Sequence, residues 1–334
     1  MTLEILDGGL LTTIQDAGRP GFGHLGVPEG GAVDPDAFAA ANLLLGNSAD
    51  AAAIEMTLSG PTFRVRNAVT IAIAGGDLGG FVQPRDRRLP PGAAYGLAAG
   101  DTVSFPGRVS GGARAYVALP GGVNVAAVLG SRSTCLAGGF GGLEGRPLRR
   151  GDTIEAATAD TARAELHLPA DSVAGSGAPV VRVLPPPAMS DRDDGLLAAF
   201  TAAPWSVGPD SDRMGLRLAG PPLAAERRTV VSHGVTWGTI QLPPDGSPIV
   251  LLADHQPTGG YPVVAVAIAA DRGALGACGP GDRVRFREVT HDEAVTALRE
   301  RRERLEATSA AVEAAAVAAR DEESWLDLSS WAGG

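Results

Sequence analysis

Almost every apolar run in this chain is short and is closed by glycine, proline, aspartate or asparagine. Val69–Ala74 (VTIAIA), Ala115–Leu119 (AYVAL), Val180–Leu184 (VVRVL), Ile249–Leu252 (IVLL) and Val263–Ile268 (VVAVAI) set the pattern. Runs this short, β-branched and spaced by turns read as strands of sandwiches or barrels. The 46 glycines and 25 prolines follow no collagen period, and 44% of the residues are hydrophobic. That is a turn-rich folded chain rather than a disordered one, and the expected fold class is mainly β with a few helices.

Two helices interrupt the pattern. Asp34-Pro35 offers an N-cap followed by proline at the first helical position, with Phe38, Ala41, Leu44 and Leu45 on one face and Gly46-Asn47 as the stop. Thr290-His291-Asp292-Glu293 is a capping box that opens a helix through Val295, Leu298 and Leu305. Past Leu305 the apolar stripe fades into Ala, Glu and Arg, so that segment is expected to project or fray. The 334 residues suit two domains. The Gly/Ser/Ala-rich stretch Ala170–Pro179 is the natural linker, giving a β-rich unit at 1–172, a second at 173–290 and a C-terminal helix and tail at 291–334. LAAGDTVSF (Leu97–Phe105), LRRGDTIEA (Leu148–Ala156) and GPGDRVRF (Gly279–Phe286) repeat a Gly-Asp turn feeding a strand. Duplication of a β-domain and the simple aptness of Gly-Asp for turns both explain the echo.

All 28 cationic residues are arginine; the chain has no lysine. Arginine stays protonated and cannot act as an amine nucleophile, so Schiff-base and PLP chemistry are excluded, as are the Walker A loop and the SxxK pair. The net charge of −10 argues against nucleic acid as a partner. No uncharged apolar run reaches membrane-spanning length and MTLEILDGGL is not a signal peptide, so a soluble, cytoplasmic protein is expected. Cys135 and Cys278 are too few for a disulfide framework and read as buried thiols. The five histidines lack metal-ligand spacing, so no metal site is expected. Gly21–Gly26 (GFGHLG) matches G-x-G-x-x-G but neither follows a strand nor opens a helix, and it reads as a loop.

Three clusters crowd polar side chains among glycines: Gln15-Asp16-Ala17-Gly18-Arg19; Ser131-Arg132-Ser133-Thr134; and Asp254-His255-Gln256-Pro257-Thr258-Gly259-Gly260-Tyr261. Each alone is consistent with a capped turn and a solvated arginine. Together they suggest a pocket for a small carboxylate- or phosphate-bearing molecule, in which glycine backbones and arginine forks replace lysine.

Gly9–Asn47, Gly112–Val123 (GARAYVALPGGV), Leu129–Thr134 (LGSRST), Ser211–Leu218 (SDRMGLRL), Ser232–Asp254 and Pro257–Pro262 (PTGGYP) resemble, in order and spacing, the biotin-dependent carboxyltransferase family that includes the C-type subunits of 5-oxoprolinase, also called KipA or allophanate hydrolase subunit 2. The resemblance runs from about Leu3 to Val289. It implies two cyclophilin-like β-barrel domains and work alongside B-type (KipI-like) and A-type (LamB/YcsF-like) subunits. It implies a small-molecule amide substrate, with the assembled enzyme opening 5-oxoproline to glutamate at the expense of ATP with Mg2+. A lysine-free chain cannot itself carry covalent biotin or run a Ser–Ser–Lys amidase. The resemblance supports Asp254, Gln256, Thr258 and Tyr261 as a set, the expected catalytic residues; the chemistry of lactam opening makes Asp254 the candidate base or magnesium ligand and puts Tyr261 at the wall. Gln15, Asp16, Arg19, Arg114, Arg132, Ser133, Arg213, Gly259 and Gly260 form the expected substrate- and phosphate-binding set. Two other roles fit the same resemblance: a carboxyltransferase component taking its carboxyl group from biotin on another chain, as in urea amidolyase, and a regulator that antagonises a KipI-type kinase inhibitor.

Overall fold

A computed structural model of the chain describes residues 1–159, 165–169, 178–186, 193–224 and 231–331. Most of the expected linker, with the 172/173 boundary, lies outside the described residues. The first eleven strands are β1 (Thr2–Asp7), β2 (Leu11–Gln15), β3 (Ala53–Thr57), β4 (Thr62–Val65), β5 (Val69–Asp77), β6 (Phe81–Gln83), β7 (Arg87–Arg88), β8 (Ala93–Leu97), β9 (Thr102–Ser104), β10 (Ser110–Ala118) and β11 (Thr153–Glu155). They build two sheets, ordered β11-β1-β4-β9-β6-β7 and β2-β3-β10-β5-β8.

The period-2 alternation of strands places the core. In β5, Val69, Ile71 and Ile73 point between the two sheets, where they meet Ile5, Phe63 and Val103. The alternate residues Ala72 and Ala74 point to the opposite face and meet Phe38, Ala41 and Leu44 of helix α1 (Pro35–Leu44). Small side chains on that face let the helix lie close to the sheet. Asp34 caps α1 as its pattern predicts, accepting from the Asp36 and Ala37 N–H groups at 3.2 and 3.1 Å.

The remaining strands are β12 (Val180–Leu184), β13 (Trp205–Val207), β14 (Gly215–Ala219), β15 (His233–Gly234), β16 (Thr239–Gln241), β17 (Ile249–Leu251), β18 (Thr258–Gly259), β19 (Val263–Ala267) and β20 (Arg283–Glu288). Seven close into a barrel, β12-β19-β16-β17-β14-β13-β20, and β15 pairs with β18 as a separate ribbon. β20 shows the logic plainly: Val284 and Phe286 are buried, while Arg283, Arg285 and Arg287 between them face solvent. Helix α2 (Asp194–Ala202), which lacks a long apolar period and escapes a sequence reading, sends Phe200 onto Trp205 and Phe286 at ring separations of 5.5 and 4.6 Å. A short helix, α3 (Arg272–Ala277), follows β19.

The Gly-Asp echo is one turn used three times. Gly100, Gly151 and Gly281 all take positive φ, at 94°, 92° and 85°. Asp101, Asp152 and Asp282 each accept a 2.8 Å bond from the N–H three residues earlier, and a strand follows each time. Local turn chemistry therefore suffices to explain the repeat.

The C-terminal segment departs from its expectation. Helix α4 (His291–Trp331) continues far past Leu305. Its opening capping box is as expected, with Thr290 N–H donating to Glu293 at 2.7 Å and Glu293 N–H to Thr290 Oγ1 at 3.2 Å. Ala297, not Leu298, is the residue buried in its first turns. Beyond Leu305 a spacing of three to four residues brings Thr308, Val312 and Ala316 to one buried face, and the last two join α1's cluster. With Val312 its one large apolar residue, between Thr308 and Ala316, this stripe is too weakly apolar to stand out in the sequence. If the packing holds, Val312→Ala destabilises the protein to urea by about 1–3 kcal/mol; no change would mean that the segment frays.

Candidate functional site

Arg213 precedes β14 and Asp254 follows β17; these strands are antiparallel neighbours, and Asp254 N–H donates to Arg213 O at 3.0 Å. The guanidinium meets Asp254 in a fork, Nε to Oδ2 at 2.9 Å and Nη2 to Oδ1 at 3.0 Å. Nη2 also donates to Gly31 O at 2.8 Å, and Nη1 donates to Glu55 Oε1 on β3. Glu55 Oε2 accepts from Tyr116 OH at 2.8 Å and from Val33 N–H at 2.9 Å. All three charged residues are under 10% exposed. Burial alone would lower the Arg213 pKa, but Asp254 and Glu55 hold it above the usual arginine range. Burial, and then the adjacent Glu55 charge, push the Tyr116 phenol well up, so it stays a donor.

A second knot forms where β2 ends. Asp16 Oδ1 accepts from Gly18 N–H at 2.8 Å and from the Ser131 and Ser133 hydroxyls at 2.6 Å each, while Oδ2 accepts from Arg132 N–H. Arg19, 1% exposed, donates through Nη2 to Ser133 O and lies 5.1 Å from the Phe140 ring centroid. Its Nη1 is buried without a hydrogen-bond partner, and burial lowers its pKa. Gly30 joins the two knots. It has φ +64°, donates to Ala253 O at 3.0 Å, and a Cβ there would stand 3.2 Å from Arg19 Nη1 and 3.9 Å from Asp254 Oδ1. Beside Asp254, His255 Nδ1 faces Gln256 O at 2.7 Å, which assigns the proton to Nδ1 and leaves buried Nε2 as an unpartnered acceptor. Burial lowers the His255 pKa, favouring the neutral ring.

Of the residues marked by sequence, the structure brings Asp16, Arg19, Ser133, Arg213 and Asp254 to one centre. Gln15 borders it, its amide donating to Thr13 Oγ1 at 2.9 Å. Arg114 points elsewhere: it donates to Gly276 O and Cys278 O at 2.7 and 3.0 Å, tying β10 to the end of α3. Arg132 contributes its backbone N–H, while its side chain is turned to Val125 O. Arg213 has four of its five N–H groups engaged within the protein, and Asp254 has both oxygens engaged by that guanidinium. Gln256, Thr258, Gly260 and Tyr261 lie exposed on or beside the β15–β18 ribbon. Gly259 is buried, and a Cβ there would collide with Gln241 Nε2. The GFGHLG segment is the expected loop, with Gly23 against Pro257.

Sequence reading missed Glu55, although an acid amid AIEMT was a signal of a buried partner, and it missed Gly30 and His255 Nε2. Among the described residues no group of three or more His, Cys, Asp or Glu could hold a metal ion. Asp16 accepts four hydrogen bonds and Asp254 faces the Arg213 fork, so both carboxylates of the centre already have protein partners. Both cysteines are free and buried. No helix among the described residues is long and apolar enough to cross a membrane.

The family model for the carboxyltransferase domain, subdomain A and B, matches residues 25–288. The sequence is 36% identical over 305 residues to the C-type subunit of 5-oxoprolinase from Escherichia coli K12, covering 91% of this chain and 96% of that protein. It is 33% identical to the corresponding 5-oxoprolinase subunit from Haemophilus influenzae, covering 87% and 93% of the two chains. The crystal structure of the Kluyveromyces lactis urea amidolyase aligns with a TM-score of 0.82 at 27% identity, over 91% of this chain but only 20% of that one.

Two outcomes follow from the geometry. Arg213→Ala strands Glu55 and Asp254 in the interior and destabilises the protein by about 3–5 kcal/mol in urea titrations; a loss below about 1 kcal/mol contradicts the network. Burial pushes Asp34 up to about 7, against hydrogen bonds from Ala37 and Asp36 that favour the carboxylate. Its unfolded pKa is about 4, so the native state binds the proton more tightly. The resulting stabilisation is full below about pH 4 and is lost as pH rises through about 7. Asp34→Asn keeps a capping oxygen and removes that dependence, so the wild type loses stability relative to the variant between about pH 5 and pH 8. Parallel pH profiles contradict it.

Proposed function

Because this chain belongs to the carboxyltransferase domain family, subdomain A and B, we propose that it is the C-type subunit of a 5-oxoprolinase that opens 5-oxoproline to glutamate with ATP. The supporting observation is the extent of the likeness to the Escherichia coli protein, which spans 96% of that chain rather than a shared module. The partners in this reading are B-type (KipI-like) and A-type (LamB/YcsF-like) subunits, in the cytoplasm.

A lactam without ring strain is a poor electrophile. ATP, when bound in the assembly, supplies the phosphoryl group that turns the lactam oxygen into a leaving group. Asp16 and Asp254 of this centre already have protein partners, so this reading places Mg2+–ATP elsewhere in the assembly. What the chain offers is a donor and an acceptor. Arg19 Nη1 has no internal partner and can stabilise negative charge developing on the substrate oxygen. Neutral His255 can take a proton at Nε2. Asp16 positions Arg19 through the Ser133 segment, and Arg213 positions Asp254 and Gly30; these are positioning residues. The likeness to urea amidolyase favours carboxyl transfer as the second reading, in which the same donor faces a carboxylate.

The test is ATP-dependent glutamate release from 5-oxoproline by this chain assembled with its two partner subunits. Turnover is expected, and Arg19→Met should lower kcat by about 100- to 1,000-fold with the assembly intact. No turnover, with carboxyl transfer from a biotin carrier instead, would establish the second reading.

A further inference from the structure

We propose that the open cavity between α1, α4 and Trp237 binds a small carboxylate, with Arg272 as its anion donor and the Trp237 indole as the surface behind it. The cavity measures about 350 Å3 and is walled by Trp237, Arg272, Phe38, Glu29, Asp16 and Gly30 among others. That is near the lower end of small-molecule sites, roughly 300–1,000 Å3, and suits a small acid with an apolar body.

Half-buried Arg272 is held differently from Arg213, Arg114 and Arg182. Arg213 is held by two carboxylates, Arg114 by two carbonyls and Arg182 by a fork to Asp271 at 2.6 and 3.0 Å. Arg272 has no ion pair with a described carboxylate; its Nε, like that of Arg114, is buried without a hydrogen-bond partner. Burial lowers its pKa, only partly offset by the Glu29 charge. What it has is the ring of Trp237, with the guanidinium carbon 5.1 Å from the centroid. A cation–π contact holds the guanidinium over the ring without supplying it a hydrogen-bond acceptor, so a carboxylate can still be recognised by its N–H groups. The neighbouring cation, Arg301, has its charge paired with Asp36 through Nε at 2.6 Å, whereas Arg272 pairs with no described carboxylate. Asp16 and Gly30 also belong to the Arg19 centre, so the cavity and that centre share a wall.

The carboxylate class stands on these residues alone; its identification as the carboxylate of 5-oxoproline rests on the functional reading above. The experiment compares L-5-oxoproline with 2-pyrrolidinone, the same ring without the carboxylate, by calorimetry on the assembled protein, alongside KM and kcat. The wild type should prefer the acid. Arg272→Gln should weaken the acid about tenfold or more and raise its KM in proportion, leaving 2-pyrrolidinone binding and kcat near wild type. Arg272→Lys, which keeps the charge, should recover part of the loss, and thermal melts confirm that both variants fold. Unchanged acid affinity and KM in Arg272→Gln, or no preference for the acid in the wild type, would overturn the site and leave the functional reading standing. Arg272-dependent acid binding in an assembly that does not turn over 5-oxoproline would support the site and overturn the functional reading.

Discussion

The guanidinium of Arg213, enclosed between Glu55 of the two-sheet unit and Asp254 of the barrel, is the interaction on which the rest of the arrangement depends. A buried ion pair of this kind is weak in net stability but severe when broken, because removing one member strands the others away from water. Here it also fixes backbone. Gly31 O is held by Arg213 and Val33 N–H by Glu55, and the Val33 side chain enters the barrel core. The adjoining residue Gly30 has a bare α-carbon that lets Arg19 and Asp254 approach each other. One charge network therefore joins two β-units and sets the width of the centre.

A chain without lysine must divide every cationic task among arginines, and the structure shows the division. Arg114, Arg182 and Arg213 are bonded to carbonyls or carboxylates of the protein and act as ties. Arg19 and Arg272 lie over the rings of Phe140 and Trp237, and each keeps a buried N–H group without a partner, as Arg114 does at Nε. Leaving a buried donor unpaired costs about 1–3 kcal/mol. The contact with an aromatic ring, and not the unpaired donor alone, therefore sets Arg19 and Arg272 apart from Arg114, Arg182 and Arg213.

Much of the fold was legible. Alternation in Arg283–Glu288, the Asp34-Pro35 cap and the three Gly-Asp turns are local signals with local causes, and each appears as a strand, helix or turn where the sequence places it. The packed end of α4 was not legible, because a stripe with Val312 as its one large apolar residue carries little hydrophobic contrast. The centre was legible only as a neighbourhood. Sequence shows that Arg19, Arg114 and Arg213 are arginines beside glycines, but how each is held depends on carbonyls and carboxylates far along the chain, such as Gly276 and Glu55. Arg272 carried no signal, since the tryptophan behind it lies on another loop.

The dependence of the structure on the Glu55–Arg213 contact is tested most directly by a double-mutant cycle. Glu55→Gln, Arg213→Met and the double variant would be compared by equilibrium urea unfolding. The network predicts a coupling energy of about 2–3 kcal/mol, with the double variant less destabilised than the sum of the singles. Additive effects, within about 0.5 kcal/mol, would contradict it.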